Sequence, residues 1–219
     1  RSKLDYFATQ PSSFTPPSEE LMRVPEKQGQ TTLPKAKPIQ SIQPEYEHES
    51  YIGILLGPSF LTGDLAGKFL INGRNYQAVT GYSNHWINIG YRLKGNMGIS
   101  FAGFGNQYNA KSNDPNEWWT INGFLAGPMW TYSLSKKIVF DLKPRLGYAS
   151  SALNQSDNIQ LQGNGWVLNP SASIRYNFAR RWCIFTETGF IYSPQKLDQI
   201  GKVNFSSYNL GFGLAYRTK

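Results

Sequence analysis

From residue 49 onward, apolar and polar residues alternate along the chain in eight separate segments. Alternation with a period of two places successive side chains on opposite faces, which is typical of a β-strand that buries only one face. We therefore predict an all-β domain of eight strands. The segments span residues 50 to 62, 81 to 93, 95 to 109, 117 to 133, 137 to 150, 166 to 178, 181 to 193 and 204 to 217.

The two faces of the last segment differ in size as well as in polarity. One face carries Tyr208, Leu210, Phe212, Leu214 and Tyr216, and the other carries Ser207, Asn209, Gly211, Gly213 and Ala215. A soluble lipocalin-like barrel would need its large apolar residues inside and its charges outside. In a closed eight-stranded membrane barrel, the apolar side chains face lipid and a narrow interior takes small or satisfied polar residues. We predict the second arrangement, because the apolar face carries almost no charge.

Two features of the segments conflict with regular strands. Pro144 and Pro170 fall inside predicted strands, where proline removes a hydrogen-bond donor from the ladder. In the fourth segment, large residues occupy both faces after Gly127, which predicts a β-bulge within residues 126 to 130.

The connections between segments alternate in length. Links after the second, fourth and sixth segments are short ("LKGN", "SLSKK" and "FARR"). The other links are long and polar, at residues 63 to 80, 110 to 116, 151 to 165 and 194 to 203. An even number of strands with alternating short and long links is typical of an up-and-down outer-membrane barrel, whose short turns are periplasmic. Both termini of the barrel are then predicted on the periplasmic side.

At this point the chain resembles a known group, the small outer-membrane β-barrel proteins of the OmpA/OmpX type. It is more similar still to the outer-membrane β-barrel proteins common in Bacteroidota. The resemblance covers residues 49 to 219 and lies in Gly-rich aromatic strands such as "YIGILLGPSF" and "YNLGFGLAYR". It implies a location in the outer membrane of a Gram-negative bacterium, among lipids and lipopolysaccharide. The chain departs from the common pattern by ending in "YRTK" and by carrying a long N-terminal segment.

Residues 1 to 48 have a different composition from the rest of the chain. They hold Pro11, Pro16, Pro17, Pro25, Pro34, Pro38 and Pro44 and few large apolar residues. Such a segment cannot bury enough apolar surface to fold alone, so we predict an extended periplasmic arm. Its scattered apolar residues are the predicted contacts with a partner protein: Tyr6, Phe14, Leu21, Met22, Val24, Ile39 and Ile42. The acidic end "EYEHE" is predicted to dock on basic residues where the arm leaves the barrel.

The formal net charge of +8 is concentrated in strands and short turns. A basic periplasmic rim is predicted from Lys94, Lys136, Lys137, Arg180, Arg181 and Arg217. Such a rim suits anionic phospholipid headgroups or an acidic partner, although basic side chains at a membrane edge can also simply extend toward water. A nucleic-acid partner is not indicated, because no basic patch lies on a soluble module.

Several charged residues fall on the predicted inner face: Arg92, Asp141, Lys143, Arg145, Arg175 and Glu187. Charges in a closed interior must be paired or hydrated, because an unpaired charge there is costly. The cluster is predicted to be a structural plug. A path for an ion or solute is the alternative, but eight strands leave no open pore.

Enzymatic function has little support in the sequence. Only His48 and His85 are present, and the one candidate pair is Ser83 with His85 near the outer end of the second segment. No metal-ligand spacing, phosphate-binding loop or cofactor motif is present, and Cys183 is the single cysteine. We therefore predict a non-enzymatic accessory subunit of an outer-membrane assembly. The alternatives are a stand-alone barrel with ligand-binding outer loops and, more remotely, a lipid-modifying enzyme.

Overall fold

The computed structural model describes residues 49–67, 70–71, 74–75, 77–111, 116–155, 158–198 and 201–218. The predicted arm, with its partner-binding residues, lies outside the described residues. The strands are β1 (Ser50–Gly63), β2 (Leu70–Ile71), β3 (Arg74–Asn75), β4 (Ala78–Lys94), β5 (Met97–Ala110), β6 (Glu117–Ser133), β7 (Ile138–Gln155), β8 (Asn158–Tyr176), β9 (Trp182–Leu197) and β10 (Gly201–Thr218). A 3-10 turn, Asp64–Ala66, follows β1.

Eight long strands form one closed antiparallel barrel in the order β1-β10-β9-β8-β7-β6-β5-β4. β1 pairs with β10 on one side and with β4 on the other, so the first and last strands complete the ring. The short strands β2 and β3 form a separate two-stranded ribbon in the first long link. The predicted eight-stranded barrel is confirmed. Among the described residues, no helix is long and apolar enough to cross a membrane.

The strands extend further toward the long-loop end than the sequence pattern indicated. The predicted loop at residues 151 to 165 is mostly strand, because β7 continues to Gln155 and β8 begins at Asn158. The predicted loop at residues 194 to 203 is likewise shortened by β9 and β10. Both predictions were wrong because the outward side chains in these stretches are polar, which made the strands look like loops.

The barrel interior has an apolar half and a charged half. Near the long-loop end, the buried side chains form an apolar core: Leu65, Phe104, Tyr108, Trp119, Ile121, Leu125, Leu153, Leu161, Val167, Ile191, Leu197, Val203 and Phe205, with several alanines. Near the short-turn end, most of the buried side chains are charged or polar. The predicted small and polar residues do face inward, and Ser207 and Asn209 are both buried. The prediction missed the large apolar side chains that fill most of the long-loop half.

The predicted bulge in the fourth strand is absent. Odd-numbered residues of β6 face inward from Trp119 to Thr131, and its register with β5 is continuous through Pro128. Large residues occupy both faces of β6 because Trp119, Ile121, Leu125 and Met129 fill the interior.

Prolines interrupt the hydrogen-bond ladder between strands, as predicted for Pro144 and Pro170. The pairing of β6 with β7 breaks between Ala126↔Leu146 and Trp130↔Leu142, where Pro128 lies opposite Pro144. Proline has no N–H to donate, so a carbonyl on the facing strand loses its partner. Phe190 of β9 lies opposite Pro170, which has no N–H to donate. The Phe190 carbonyl accepts instead from the Asn169 side chain at 3.1 Å. Inward-facing polar side chains thus replace some of the missing ladder bonds.

A closed ladder of this kind should resist detergent until it is heated, because opening it exposes many backbone hydrogen bonds together. We expect the unheated protein to migrate faster than the boiled protein on an SDS gel. Circular dichroism of the folded form should be dominated by β-structure, and a helix-rich spectrum would contradict the fold.

Candidate functional site

Glu187 is the centre of a buried ionic cluster in the short-turn half of the barrel. Its carboxylate accepts hydrogen bonds from Lys143 Nζ at 2.5 Å and from Arg145 Nη1 at 2.7 Å. Asn88 donates to the same carboxylate at 3.1 Å and accepts from Arg145 Nη2 at 3.1 Å. Lys143 and Arg145 are fully buried. Each of these charges is therefore compensated by direct contact, as burial requires.

A second ionic group lies closer to the short-turn mouth and is centred on Asp141 and Arg175. The Asp141 carboxylate accepts from Arg175 Nε at 2.8 Å and from Thr131 Oγ1 at 2.8 Å. Arg175 Nη1 also donates to Glu49 Oε1 at 3.3 Å. Arg217 Nε donates to that same Glu49 oxygen at 2.5 Å. The chain of contacts therefore runs from the mid-barrel to the mouth.

Tyr51 connects the two groups. Its hydroxyl accepts a hydrogen bond from Lys143 Nζ at 3.2 Å, and the Arg175 guanidinium lies 4.4 Å from its ring centroid. A cation over an aromatic face is attracted by the ring quadrupole, and more strongly in a dry site. Gly90 leaves the space for this ring, because a Cβ there would collide with Tyr51. Together we call these residues the ionic plug: Glu49, Tyr51, Asn88, Asp141, Lys143, Arg145, Arg175, Glu187 and Arg217.

Five of the charged residues predicted on the inner face belong to the ionic plug. Asp141, Lys143, Arg145, Arg175 and Glu187 all face inward and are brought together. Arg92 is also buried, and it donates to the Gly95 carbonyl and to Asn96 Oδ1 in the β4–β5 turn.

Glu49, the third carboxylate of the cluster, was not among the inner-face residues predicted from the sequence. Glu49 is 7% exposed and binds both Arg175 and Arg217. With Asp141 and Glu187 it makes three carboxylates for the four basic groups of the plug. Its position directly before the first alternating residue, Ser50, was the available signal. Glu49 is also the last residue of the acidic stretch that was predicted to dock on the rim, and it contacts Arg217 there.

Ser83 and His85, the candidate pair of the enzyme alternative, both point into the barrel interior. Both are almost fully buried, and His85 Nδ1 lies 3.9 Å from Glu187 Oε1 and 3.3 Å from Asn88 Nδ2. The register of β4 shifts between His85 and Ile87, so odd positions face inward before the bulge and even positions after it. Uninterrupted alternation from Arg92 would have turned His85 outward. Within the described ranges, no group of three or more His, Cys, Asp or Glu side chains is placed to hold a metal ion.

The predicted basic rim is placed at the short-turn end. Lys94, Lys136, Lys137, Arg180 and Arg181 are exposed there, on or beside the three short turns. Arg217 differs, because only 8% of its surface is exposed and its guanidinium turns toward Glu49. Cys183 is a free, fully buried thiol on the inner face of β9.

The fold can now be compared with known proteins. No protein-family model matches the chain, and no curated protein sequence matches it. The crystal structure of Neisserial surface protein A has a TM-score of 0.55 at 14% sequence identity, covering 76% of this chain and 96% of its own. The outer membrane protein OprG from Pseudomonas aeruginosa has a TM-score of 0.52 at 10% identity, covering 78% of this chain and 97% of its own.

Identities this low show the fold alone. The chain has the closed eight-stranded fold of small outer-membrane barrels, which confirms the resemblance at the level of fold. The more specific similarity to Bacteroidota proteins stays a prediction.

Replacing Glu187 by Gln should destabilise the barrel by about 3 kcal/mol, because it leaves Lys143 and Arg145 buried without their carboxylate. Urea unfolding in lipid vesicles measures this loss. The matched control is Asp198→Asn, an exposed acid-to-amide change expected to stay within about 0.5 kcal/mol of the native protein. Adding Lys143→Met to Glu187→Gln should restore at least about 1 kcal/mol, because one unpaired charge is removed with its partner. Equal stability of Glu187→Gln and the native protein would contradict the ionic plug.

Proposed function

We propose that this chain is a non-enzymatic outer-membrane barrel that anchors a larger protein assembly, with residues 1 to 48 as a periplasmic arm that binds a partner. In this proposal, residues 49 to 219 form the membrane domain. The observation that carries it is the combination of an exposed apolar outer wall with an interior filled by its own side chains.

The outer wall supports insertion in a membrane. Large apolar side chains point outward on the strands, and Ile54, Leu56 and Phe212 are more than 60% exposed. Monomeric soluble proteins rarely expose continuous apolar surfaces of this kind. Hydrocarbon surroundings also demand a closed ladder, since open strand edges leave backbone groups unsatisfied.

The height of the apolar band also fits a bilayer. Exposed aromatic residues occupy both ends of the band: Tyr91, Tyr132, Tyr176 and Trp182 near the short turns, and Tyr82, Tyr148, Trp166 and Tyr208 further along the strands. Trp166 and Tyr176 are ten residues apart on β8. At a rise of ~3.4 Å per residue and a tilt of ~40°, that separation corresponds to a vertical height of ~25 Å. Outer-membrane barrels have aromatic girdles at about this spacing.

The filled interior favours an anchor over a channel. The ionic plug occupies the short-turn half, and the apolar core occupies the other half. Leu65 of the 3-10 turn and Trp119 of β6 are fully buried at the long-loop end of this core. A solute would have to displace both layers to cross. In this proposal, the interior side chains stabilise the barrel, and the outer surfaces and the arm bind other molecules.

The arm is proposed to begin at the periplasmic mouth of the barrel. Arg175 and Arg217 both bind Glu49, and the Glu49 carbonyl accepts a backbone hydrogen bond from Arg92 at 3.3 Å. These contacts hold Glu49, the first residue after the arm, in place at the mouth of the barrel. Forty-eight residues in a polyproline conformation could reach on the order of 150 Å. Ordering such a segment costs about 1 kcal/mol or more per residue, so its apolar residues must make repeated contacts with the partner.

The basic rim is proposed to contact anionic phospholipid headgroups of the inner leaflet. Arg180 and Arg181 are exposed beside Tyr216 and Thr218, around a polar hollow of about 300 Å³. The Trp182 ring packs edge-on against Tyr216 at 5.4 Å, as an interfacial aromatic pair. Guanidinium groups directly beside interfacial aromatics suit a phosphate at the membrane surface.

The orientation can be tested by single-cysteine labelling, since Cys183 is the only native cysteine. In a Cys183→Ser background, cysteine would replace Ser12 in the arm, Ser112 in a long link, or Lys136 in a short turn. A membrane-impermeant maleimide added to intact cells should label only the Ser112→Cys protein. All three should react after the outer membrane is permeabilised. Labelling of the arm from outside intact cells would reverse the proposed topology.

Deleting residues 1 to 40 should leave a folded, heat-modifiable barrel while its partners are lost from native pull-downs. A finer test would change Leu21, Met22 and Val24 to Ser, which removes apolar contacts without shortening the arm. The matched control would change Gln28 and Gln30 to Ser, which should leave the recovered partners unchanged. If the truncated protein brings down the same partners in the same amounts, the arm is not the tether.

A further inference from the structure

The outer wall of β6 to β9 carries two rows of mostly uncharged polar side chains above the apolar band, with one lysine and one aspartate at the β9 end. In the strand register, Asn122 lies opposite Ser150, Ser150 opposite Asn164, and Asn164 opposite Lys196. The row further from the short turns contains Thr120, Ala152 and Gln162 in the same register, with Asp198 hydrogen-bonded to the Gln162 backbone at 2.8 Å. These residues line a groove of about 330 Å³ on the outside of the barrel.

An aromatic row lies directly below the polar rows on the same wall. Phe124 pairs with Tyr148, and Tyr148 pairs with Trp166, each two residues along its strand from the amide and hydroxyl row. All three rings are about half exposed or more. The Tyr148 hydroxyl donates to Asn164 Oδ1 at 2.7 Å, which connects the two rows. The wall therefore presents rings and amides side by side on one surface.

The polar side chains of this groove are accessible. Asn122, Ser150, Gln162, Asn164 and Lys196 are all exposed. Amide and hydroxyl groups both donate and accept hydrogen bonds, which matches the alternating donors and acceptors of sugar hydroxyls. Aromatic rings offer apolar faces on which the C–H faces of sugar rings can pack. The volume lies within the range of small-ligand sites.

The charge of the groove argues against a phosphate or an acidic ligand. Its lining contains one basic side chain, Lys196, and one acidic side chain, Asp198. An anion site is normally built from several converging donors such as arginines. The position of the groove also limits the choice of ligand. It lies immediately beyond the upper aromatic row, which in the proposed membrane orientation is the headgroup level of the outer leaflet.

We propose that this groove, formed by Thr120, Asn122, Ser150, Gln162, Asn164 and Lys196, binds carbohydrate, namely the sugar headgroup of a glycolipid in the outer leaflet. The identity of the ligand as a membrane glycolipid rests on the proposed outer-membrane location. Recognition of the sugar itself rests only on the groove. Asn122 and Asn164 hydrogen-bond the sugar, while Tyr148 and Trp166 pack against its ring and the first part of the lipid.

The test uses the full chain in detergent micelles, with binding measured by isothermal titration. The probes are lipopolysaccharide, lipid A, which keeps its glucosamine disaccharide but lacks the core oligosaccharide, and the water-soluble core oligosaccharide released from lipopolysaccharide by mild acid. The groove variant is Asn122→Ala with Asn164→Ala. The control variant is Thr80→Ala with Asn109→Ala, which removes exposed polar side chains from β4 and β5 outside the groove. Heat-modifiable migration verifies that both variants are folded.

We expect the groove variant to bind lipopolysaccharide and the free oligosaccharide about tenfold or more weakly than the native protein, because two hydrogen-bonding groups are lost. The control variant should bind both like the native protein, and lipid A binding should be the same for all three proteins. Equal oligosaccharide affinity of the groove variant and the native protein would overturn the proposal. So would a native protein that binds lipid A as tightly as lipopolysaccharide and does not bind the oligosaccharide.

The two proposals fail in different experiments. If the labelling experiment excludes the outer membrane but the oligosaccharide still binds in the groove, the carbohydrate site stands and only its membrane source is wrong.

Discussion

Closure of the backbone ladder is the constraint on which the rest of this structure depends. The first and last strands pair along their length, from Ser50 opposite Thr218 to Gly63 opposite Phe205. A ring of eight strands has no edge, so its backbone groups are satisfied within the wall. Prolines disturb this arrangement, and the chain compensates with side chains. Ser193, which precedes Pro194, donates to the Trp166 carbonyl at 3.0 Å across the strands.

In the closed wall, each residue faces either the interior or the surroundings. The polarity of the two faces reverses from one end of the barrel to the other. Near the short turns, the outside is apolar and the inside is charged, as at Leu142 and Lys143 on neighbouring positions of β7. Near the long loops the outside is polar and the inside is mostly apolar, as at Gln162 and Leu161 on β8. In the proposed membrane orientation, a bilayer around the lower half and water around the upper half would account for the change, since charged side chains are costly in hydrocarbon.

The charged half of the interior is stable only because its groups are paired. Three carboxylates and four basic side chains lie together, and their contacts join opposite charges or a charge to a neutral hydrogen-bonding group. Glu49 also connects the start of the barrel domain to the ionic plug. It belongs by sequence to the start of the barrel domain, yet it completes pairs with Arg175 from β8 and Arg217 from β10. The entrance of the chain into the barrel is therefore tied to the same network that fills the interior.

The sequence by itself determined the number of strands, their faces and the alternation of short and long links, because period-two patterning and turn length are local properties. It also placed Asp141, Lys143, Arg145, Arg175 and Glu187 inside, since each follows the parity of its own strand. Only the tertiary structure decided how these groups pair and which way a strand faces beyond a bulge, as in β4. It also decided where strands with polar outer faces end, as in β7 and β8. Those features depend on the register between neighbouring strands and on what surrounds the wall at each height, and neither is written in one strand alone.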